Sequence, residues 1–171
     1  MNLTTSTLKT MFFQVFDTVL TAHSTVYVSG PIETGRLFYE SLVNDGAATP
    51  QVRLINQQRL HQFANHLRQR LQRPVLDPTP LAVPGWNGQD YITFYLEVIQ
   101  QYICESWFIA GWEYSTGATA EFWFCIEHHV PCYAETGEPL TAEHGNHLIG
   151  RAAAYVESLG LDSTLLRSRI H

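Results

Sequence analysis

The chain has 171 residues, 45 % of them apolar and 15 % charged, with a formal charge of −6. That length fits one domain able to bury a core without disulfides or metals, and the acidic balance excludes the basic stripe that a nucleic-acid polymer requires while leaving a small phosphorylated ligand compatible. No run is long enough to span a bilayer, and the low charged fraction points to some surface being covered by another copy of the chain. Cys104, Cys125 and Cys132 are odd in number, lie in apolar stretches and form no C-x-x-C pair, so they read as buried free thiols of a reducing, cytoplasmic compartment.

In chain order, Leu8, Met11, Phe12, Val15, Phe16, Val19 and Leu20 recur at three- and four-residue spacing, which predicts a helix that packs on the domain or on a sister subunit. Lys9, Gln14 and Asp17 interrupt the run, and no charged start precedes it, against a signal peptide. Thr25 to Ser29 is a β-rich run stopped by Gly30-Pro31, a strand entering a tight loop. A short helix is expected near 35–43 and a long one over 51–72, its core face Leu60, Phe63, Ala64, Leu67 and Leu71. A second strand over 74–78 ends at Asp77 and runs into a Pro- and Gly-rich loop, 79–88, long enough to wall a site. Helical spacing resumes over 89–102, with Asp90 near its start, followed by a near-continuous apolar strand over 103–110 suited to a parallel sheet. A helix over 116–129, a strand over 130–134 and a closing helix over 141–159 complete the pattern. Alternation of short strands with helices predicts α/β architecture with a parallel sheet of four or five strands. Two units are expected, an N-terminal amphipathic helix over 1–24 and a single domain over 25–171.

The stretch from Ser115 to Glu121 carries the most chemistry, because it leaves a strand and opens a helix with a carboxylate just inside it. Amides at a helix start lack intrahelical partners and carry partial positive charge, so they suit an anion, while Ser115 or Thr116 caps the helix; Glu121 is expected to stay ionised. In a parallel sheet the strand ends share one edge, so Gly30-Pro31, Asp77, the 109–116 loop and the start of the Glu121 helix should converge there. This predicts a ligand pocket containing Tyr27, Asp77, Asp90, Ser115 and Glu121. Trp112 or Tyr114 offers a ring for stacking on a base, and Arg36 a cation for a phosphate. His128, His129, His144 and His147 complete no recognised metal motif.

At three places the chain resembles the nucleoside 2-deoxyribosyltransferase-like superfamily: the opening strand Val26-Tyr27-Val28-Ser29-Gly30, an Asp near the start of the helix before the central strand, and a Gly-containing turn leading to Glu121 and then to the strand Val130-Pro131-Cys132. The resemblance covers roughly residues 25–134 and implies a Rossmann-like (flavodoxin-like) three-layer fold carrying an extra N-terminal helix. It further implies that Glu121 attacks the anomeric carbon of a nucleoside sugar, that Tyr27 orients this carboxylate, and that Asp90 protonates the departing base, with retention through a glycosyl ester. Gly30, Pro31, Asp77, Trp112, Ser115 and Gly117 would bind substrate. No cofactor and no metal is called for.

The transferases of that superfamily carry an Asp six residues before the nucleophile, where this chain has Ser115. The pattern Ser-x-Gly-x-x-x-Glu is more similar to the 2'-deoxynucleoside 5'-phosphate N-hydrolases, whose serine binds the 5'-phosphate, and a neutral hydroxyl accepts a dianion that an Asp would repel. The expectation is therefore an N-glycosidase acting on a nucleoside 5'-monophosphate. The alternatives are a deoxyribosyltransferase, a non-catalytic nucleotide-binding module, or cleavage of another N-glycoside such as an NAD-type nicotinamide riboside. A homodimer or higher assembly is implied as well.

Overall fold

Side-chain alternation along two neighbouring strands sets the architecture. In the computed structural model, which describes residues 5–20, 22–47 and 49–171, β1 (Thr25–Ser29) and β3 (Ile103–Phe108) lie parallel with Tyr27 opposite Ser106 and Ser29 opposite Phe108. Val26, Val28, Trp107 and Ile109 turn to one face and pack on Leu60, Phe63, Ala64 and Leu67 of α3 (Pro50–Leu71). Tyr27 and Phe108 turn to the other and join a larger core with α4 (Gly88–Tyr102), α5 (Thr116–Glu127) and α6 (Ala142–Ser158). With β2 (Val75–Leu76) and β4 (Cys132–Ala134) at the edges, the sheet has four parallel strands in the order β2-β1-β3-β4. Helices on both faces make it a Rossmann-like three-layer α/β fold.

β1 matches its predicted run, β2, β3 and β4 are two or three residues shorter than theirs, and α2 (Arg36–Asp45) runs two residues further than expected, differences within the usual uncertainty of element ends. A four-residue helix near the C-terminus, α7 (Thr164–Arg167), is too short to leave a periodic signature. Residues 1–4, 21 and 48, which fall in the expected N-terminal segment and in the loop before α3, lie outside the described residues.

The helix α1 (Thr5–Val19) divides its apolar residues rather than burying them on one face. Phe12, Phe13, Phe16 and Leu20 pack into the large core, with Phe12 and Phe13 against Phe94 at ring-centroid distances of 5.8 and 5.4 Å. Met11, Val15 and Val19 stay exposed. The predicted set spans more of the helix circumference than one neighbour can cover, so α4 covers only the row nearest it. Polar contacts fix the docking: Tyr102 donates to Asp17 at 2.5 Å, and Lys9 pairs with Glu97.

Two close approaches seat the elements that carry the site. A side chain at Gly30, where β1 ends, would put its Cβ 2.5 Å from Cγ1 of Ile109, so the loops leaving β1 and β3 can only lie this close over a glycine. At Gly145 in α6 an added Cβ would stand 2.2 Å from the ring of Phe122, and that contact sets how near α6 comes to α5. Overpacking of this kind costs about 1–3 kcal/mol. Gly145→Ala should lower stability by that amount in urea unfolding. Gly150→Ala in the same helix, where the added carbon meets only Ile170 Cδ1 at 4.0 Å, should be neutral or stabilising by about 0.5–1 kcal/mol.

Candidate active site

Glu121 sits in the second turn of α5, facing the side of β1 that presents Tyr27 and Ser29. Residues two apart on a strand share a face, so both hydroxyls reach the same carboxylate. Tyr27 donates to Oε1 at 2.9 Å and Ser29 to Oε2 at 2.5 Å. One turn further along α5, Cys125 donates to Ser106 of β3 at 3.3 Å, continuing a polar row beneath the helix. Glu121 is 7 % exposed, and what remains accessible opens into a cavity of about 220 Å³ at the C-terminal edge of the sheet.

Burial pushes the Glu121 carboxyl up to about 7, and the hydrogen bonds from Ser29 and Tyr27 oppose that rise. The expectation of a fully ionised side chain is thereby corrected: near neutral pH the group is divided between its two forms. The helix start, which favours an anion, lies more than a turn away, too far to offset desolvation. Burial also raises Tyr27 well above the ordinary phenol value, with the Glu121 charge adding to it, so Tyr27 stays protonated and can only donate to an ionised Glu121.

The far end of the cavity is built by the start of α5. Ser115 is the N-cap and its Oγ accepts the Ala118 amide at 3.3 Å. Thr34, in the loop after β1, donates to that Oγ at 3.4 Å and accepts the Thr116 amide at 3.3 Å. The Gly117 amide, second in the helix, has no intrahelical acceptor. Arg53 of α3 lines the cavity nearby and pairs with Glu33 at 2.8 Å. The opposite wall is apolar and aromatic, made by Tyr91, Ile92 and Tyr95 of α4 with Pro78 and Leu81.

Of the residues expected at the site, Tyr27, Gly30, Ser115, Gly117 and Glu121 line this cavity, and four others do not. Asp90 is spent on helix capping: its carboxylate accepts the Asn87 amide at 2.8 Å while the Asn87 side chain accepts the Asp90 amide, a reciprocal cap at the start of α4. Asp77 accepts the amide and hydroxyl of Thr79 at 2.9 and 2.7 Å and bonds His61 at 2.6 Å, so it shapes the loop that presents Pro78 and Thr79. Trp112 is a core residue, its ring 4.6 Å from that of Phe122 and 5.1 Å from that of Phe108. Pro31 is buried against Gly35. Tyr114 and Arg36, offered for base and phosphate, line a different cleft.

Sequence reasoning missed Ser29, Thr34, Arg53 and the α4 tyrosines as site residues. Ser29 had a usable signal, since it shares a strand face with Tyr27. The others depend on which way a helix or loop faces, which spacing alone leaves open. Among the described residues no group of three or more His, Cys, Asp or Glu side chains is placed to hold a metal ion, and no helix is long and apolar enough to cross a membrane. Comparison with protein-family models, with curated proteins and with solved structures finds no match to this chain.

The Glu121 geometry has a measurable thermodynamic consequence. Its folded value lies above the ordinary 4.5, so the stability linked to this group is complete below about pH 4.5 and is lost as pH rises through about 7. The interval corresponds to roughly 3 kcal/mol, at about 1.36 kcal/mol per pH unit. Glu121→Gln, neutral throughout, should therefore gain on the wild type by up to about 3 kcal/mol as urea unfolding is repeated from acid to about pH 8. A difference that stays constant with pH would mean that the carboxylate is not desolvated.

Proposed function

We propose that the chain is an N-glycosidase that cleaves the base–sugar bond of a nucleoside 5'-monophosphate, with Glu121 as nucleophile. The observation that carries this reading is the pairing of each Glu121 oxygen with one hydroxyl, from Tyr27 and Ser29, inside a cavity that ends at a helix start. A carboxylate held in this way has a fixed orientation, and it is almost fully buried at the wall of the cavity. In the proposed reaction it attacks the anomeric carbon as the bond to the base breaks, the pair of electrons leaves with the base, and water later opens the glycosyl ester.

The two ends of the cavity differ in the way such a substrate does. Ser115 accepts the Ala118 amide and the Thr34 hydroxyl while its own proton has no acceptor among the described residues, so it offers a donor beside the Gly117 amide. A phosphate there would draw Arg53 from Glu33, since guanidinium binds phosphate through parallel hydrogen bonds. The tyrosine wall of α4 supplies apolar surface for a flat base. The resemblance of the Ser115–Glu121 stretch to the nucleotide N-hydrolases supports the same assignment.

The direct test is release of free base from a panel of nucleosides and their 5'-monophosphates, with an acceptor base added in parallel to reveal transfer. Monophosphates should be preferred, and Glu121→Ala should lower turnover by at least about a thousandfold, within the range by which loss of a nucleophile disables an enzyme. Because the ionised form attacks, kcat/KM should fall as pH drops below about 7, and Ser29→Ala should move that inflection upward. A folded wild type that releases no base from any member of the panel ends the proposal.

Asp90 gives a sharper check on the acid role. Asn keeps a cap acceptor but cannot donate a carboxylic proton. Asp90→Asn should leave base release within about threefold and the melting temperature unchanged if the residue only caps α4. A loss of a hundredfold or more with folding intact would return Asp90 to the departing base.

A further inference from the structure

A second cleft, of about 510 Å³, opens at the same edge of the sheet and shares no lining residue with the Glu121 cavity. Three guanidinium groups from three helices line it: Arg36 of α2, Arg59 of α3 and Arg151 of α6. In a chain of net charge −6 such a convergence is a local reversal of sign. Arg36 is committed, donating to Glu40 at 2.8 Å with its guanidinium 4.8 Å from the Tyr155 ring centroid. Arg59 and Arg151 are exposed and make no ion pair or hydrogen bond among the described residues.

The one acid that faces them from the loop is already engaged. Glu113 is held by backbone amides of its own turn, at Gly111 and Glu113 itself, while burial raises its carboxyl above the ordinary value against the pull of Arg151 and Arg36. Glu40, on α2, is taken by Arg36 and by the hydroxyl of Tyr155 at 2.8 Å. Tyr114 and Leu148 add ring and aliphatic surface beside the charged groups. The position is where α/β folds place ligands, outside the carboxyl ends of the strands and next to the point where chain connections from β1 and β3 diverge.

We propose that this cleft is a second ligand site, taking a small organic anion, phosphate- or carboxylate-bearing and of roughly mononucleotide size, through Arg59 and Arg151. Guanidinium forks match both anionic groups bidentately, and cavities of this size hold molecules of that class. The reading is independent of what Glu121 does, because no residue is common to the two sites.

Titration calorimetry of the whole chain at low ionic strength, with pyrophosphate in one arm and citrate in the other, separates the two anion types. At least one probe should bind saturably at one per chain. The Arg59→Ala/Arg151→Ala double variant should weaken it by at least about tenfold, and Ser115→Ala should leave it unchanged. In the wild type the same probe should shift the backbone amide resonances of Gly111 and Tyr114 more than that of Gly117, a readout that does not rely on any variant folding. Absence of saturable binding by both probes up to about 10 mM, or binding that the double variant keeps and Ser115→Ala removes, overturns the proposal.

Discussion

A carboxylate buried beneath one end of a parallel sheet is the constraint around which this fold is arranged. Glu121 is 7 % exposed, and an acid in that position is tolerated only if its lone pairs are met. Tyr27 and Ser29 meet them from the same face of β1, which requires β1 and α5 to hold a fixed separation. Three features keep it. The Ser115 cap starts α5 at a defined residue, Gly145 lets α6 press on Phe122 behind it, and Gly30 allows the loops leaving β1 and β3 to close on each other. Gly30 and Ser115 line the cavity and Gly145 lies outside it, yet each sets the position of the two hydroxyls.

The edge of the sheet carries two electrostatic environments, divided by the chain from 109 to 117. On the Glu121 side the charged lining groups are a half-titrating acid and the paired Glu33 and Arg53, and the rest are hydroxyls, amides, rings and aliphatic side chains. On the other side guanidiniums from three helices converge with two carboxylates, Glu113 and the Glu40 that pairs with Arg36, while Arg59 and Arg151 make no ion pair among the described residues. The loop between them contributes Ser115 to one cavity and Glu113 and Tyr114 to the other, while Trp112, packed on Phe108 and Phe122, pins it to the core. A turn anchored by a buried indole holds both sets of residues at once, which an exposed aromatic offered to a ligand would not do.

The sheet and the order of elements were legible because they follow from periodicity, whereas the Tyr27–Glu121 pairing was implied only by the resemblance of the opening strand and of the Ser115–Glu121 stretch to a known superfamily. Runs such as 25–29 and 103–110 read as strands by composition and length, and a strand ending at Gly30-Pro31 marks the edge where ligands gather. What was not legible turns on competition for hydrogen bonds. Asp90 and Asp77 look like site acids by position, yet nearby backbone amides and a threonine hydroxyl claim them first. Short acidic side chains favour such local partners, and sequence does not show whether a donor two or three residues away is free. In α1 periodicity shows how many residues could be covered, and α4 covers the row that carries Phe12, Phe13 and Phe16.

The raised Glu121 value bears on why a burial so unfavourable to charge would suit the proposed chemistry. Ionising the group in the empty cavity works against desolvation, at roughly 3 kcal/mol relative to water. In the proposed reaction an oxocarbenium-like centre would bring positive charge against a carboxylate that is almost fully buried, where attraction is stronger than between solvated groups. The interaction therefore grows as the bond to the base breaks and is weak while the sugar is neutral. That is the asymmetry catalysis needs, since only a contact stronger in the transition state than in the ground state raises turnover. The two hydroxyls fit the same argument. Their donors steady the carboxylate without neutralising it, whereas a cation in their place would hold Glu121 ionised but cancel the field on the developing charge.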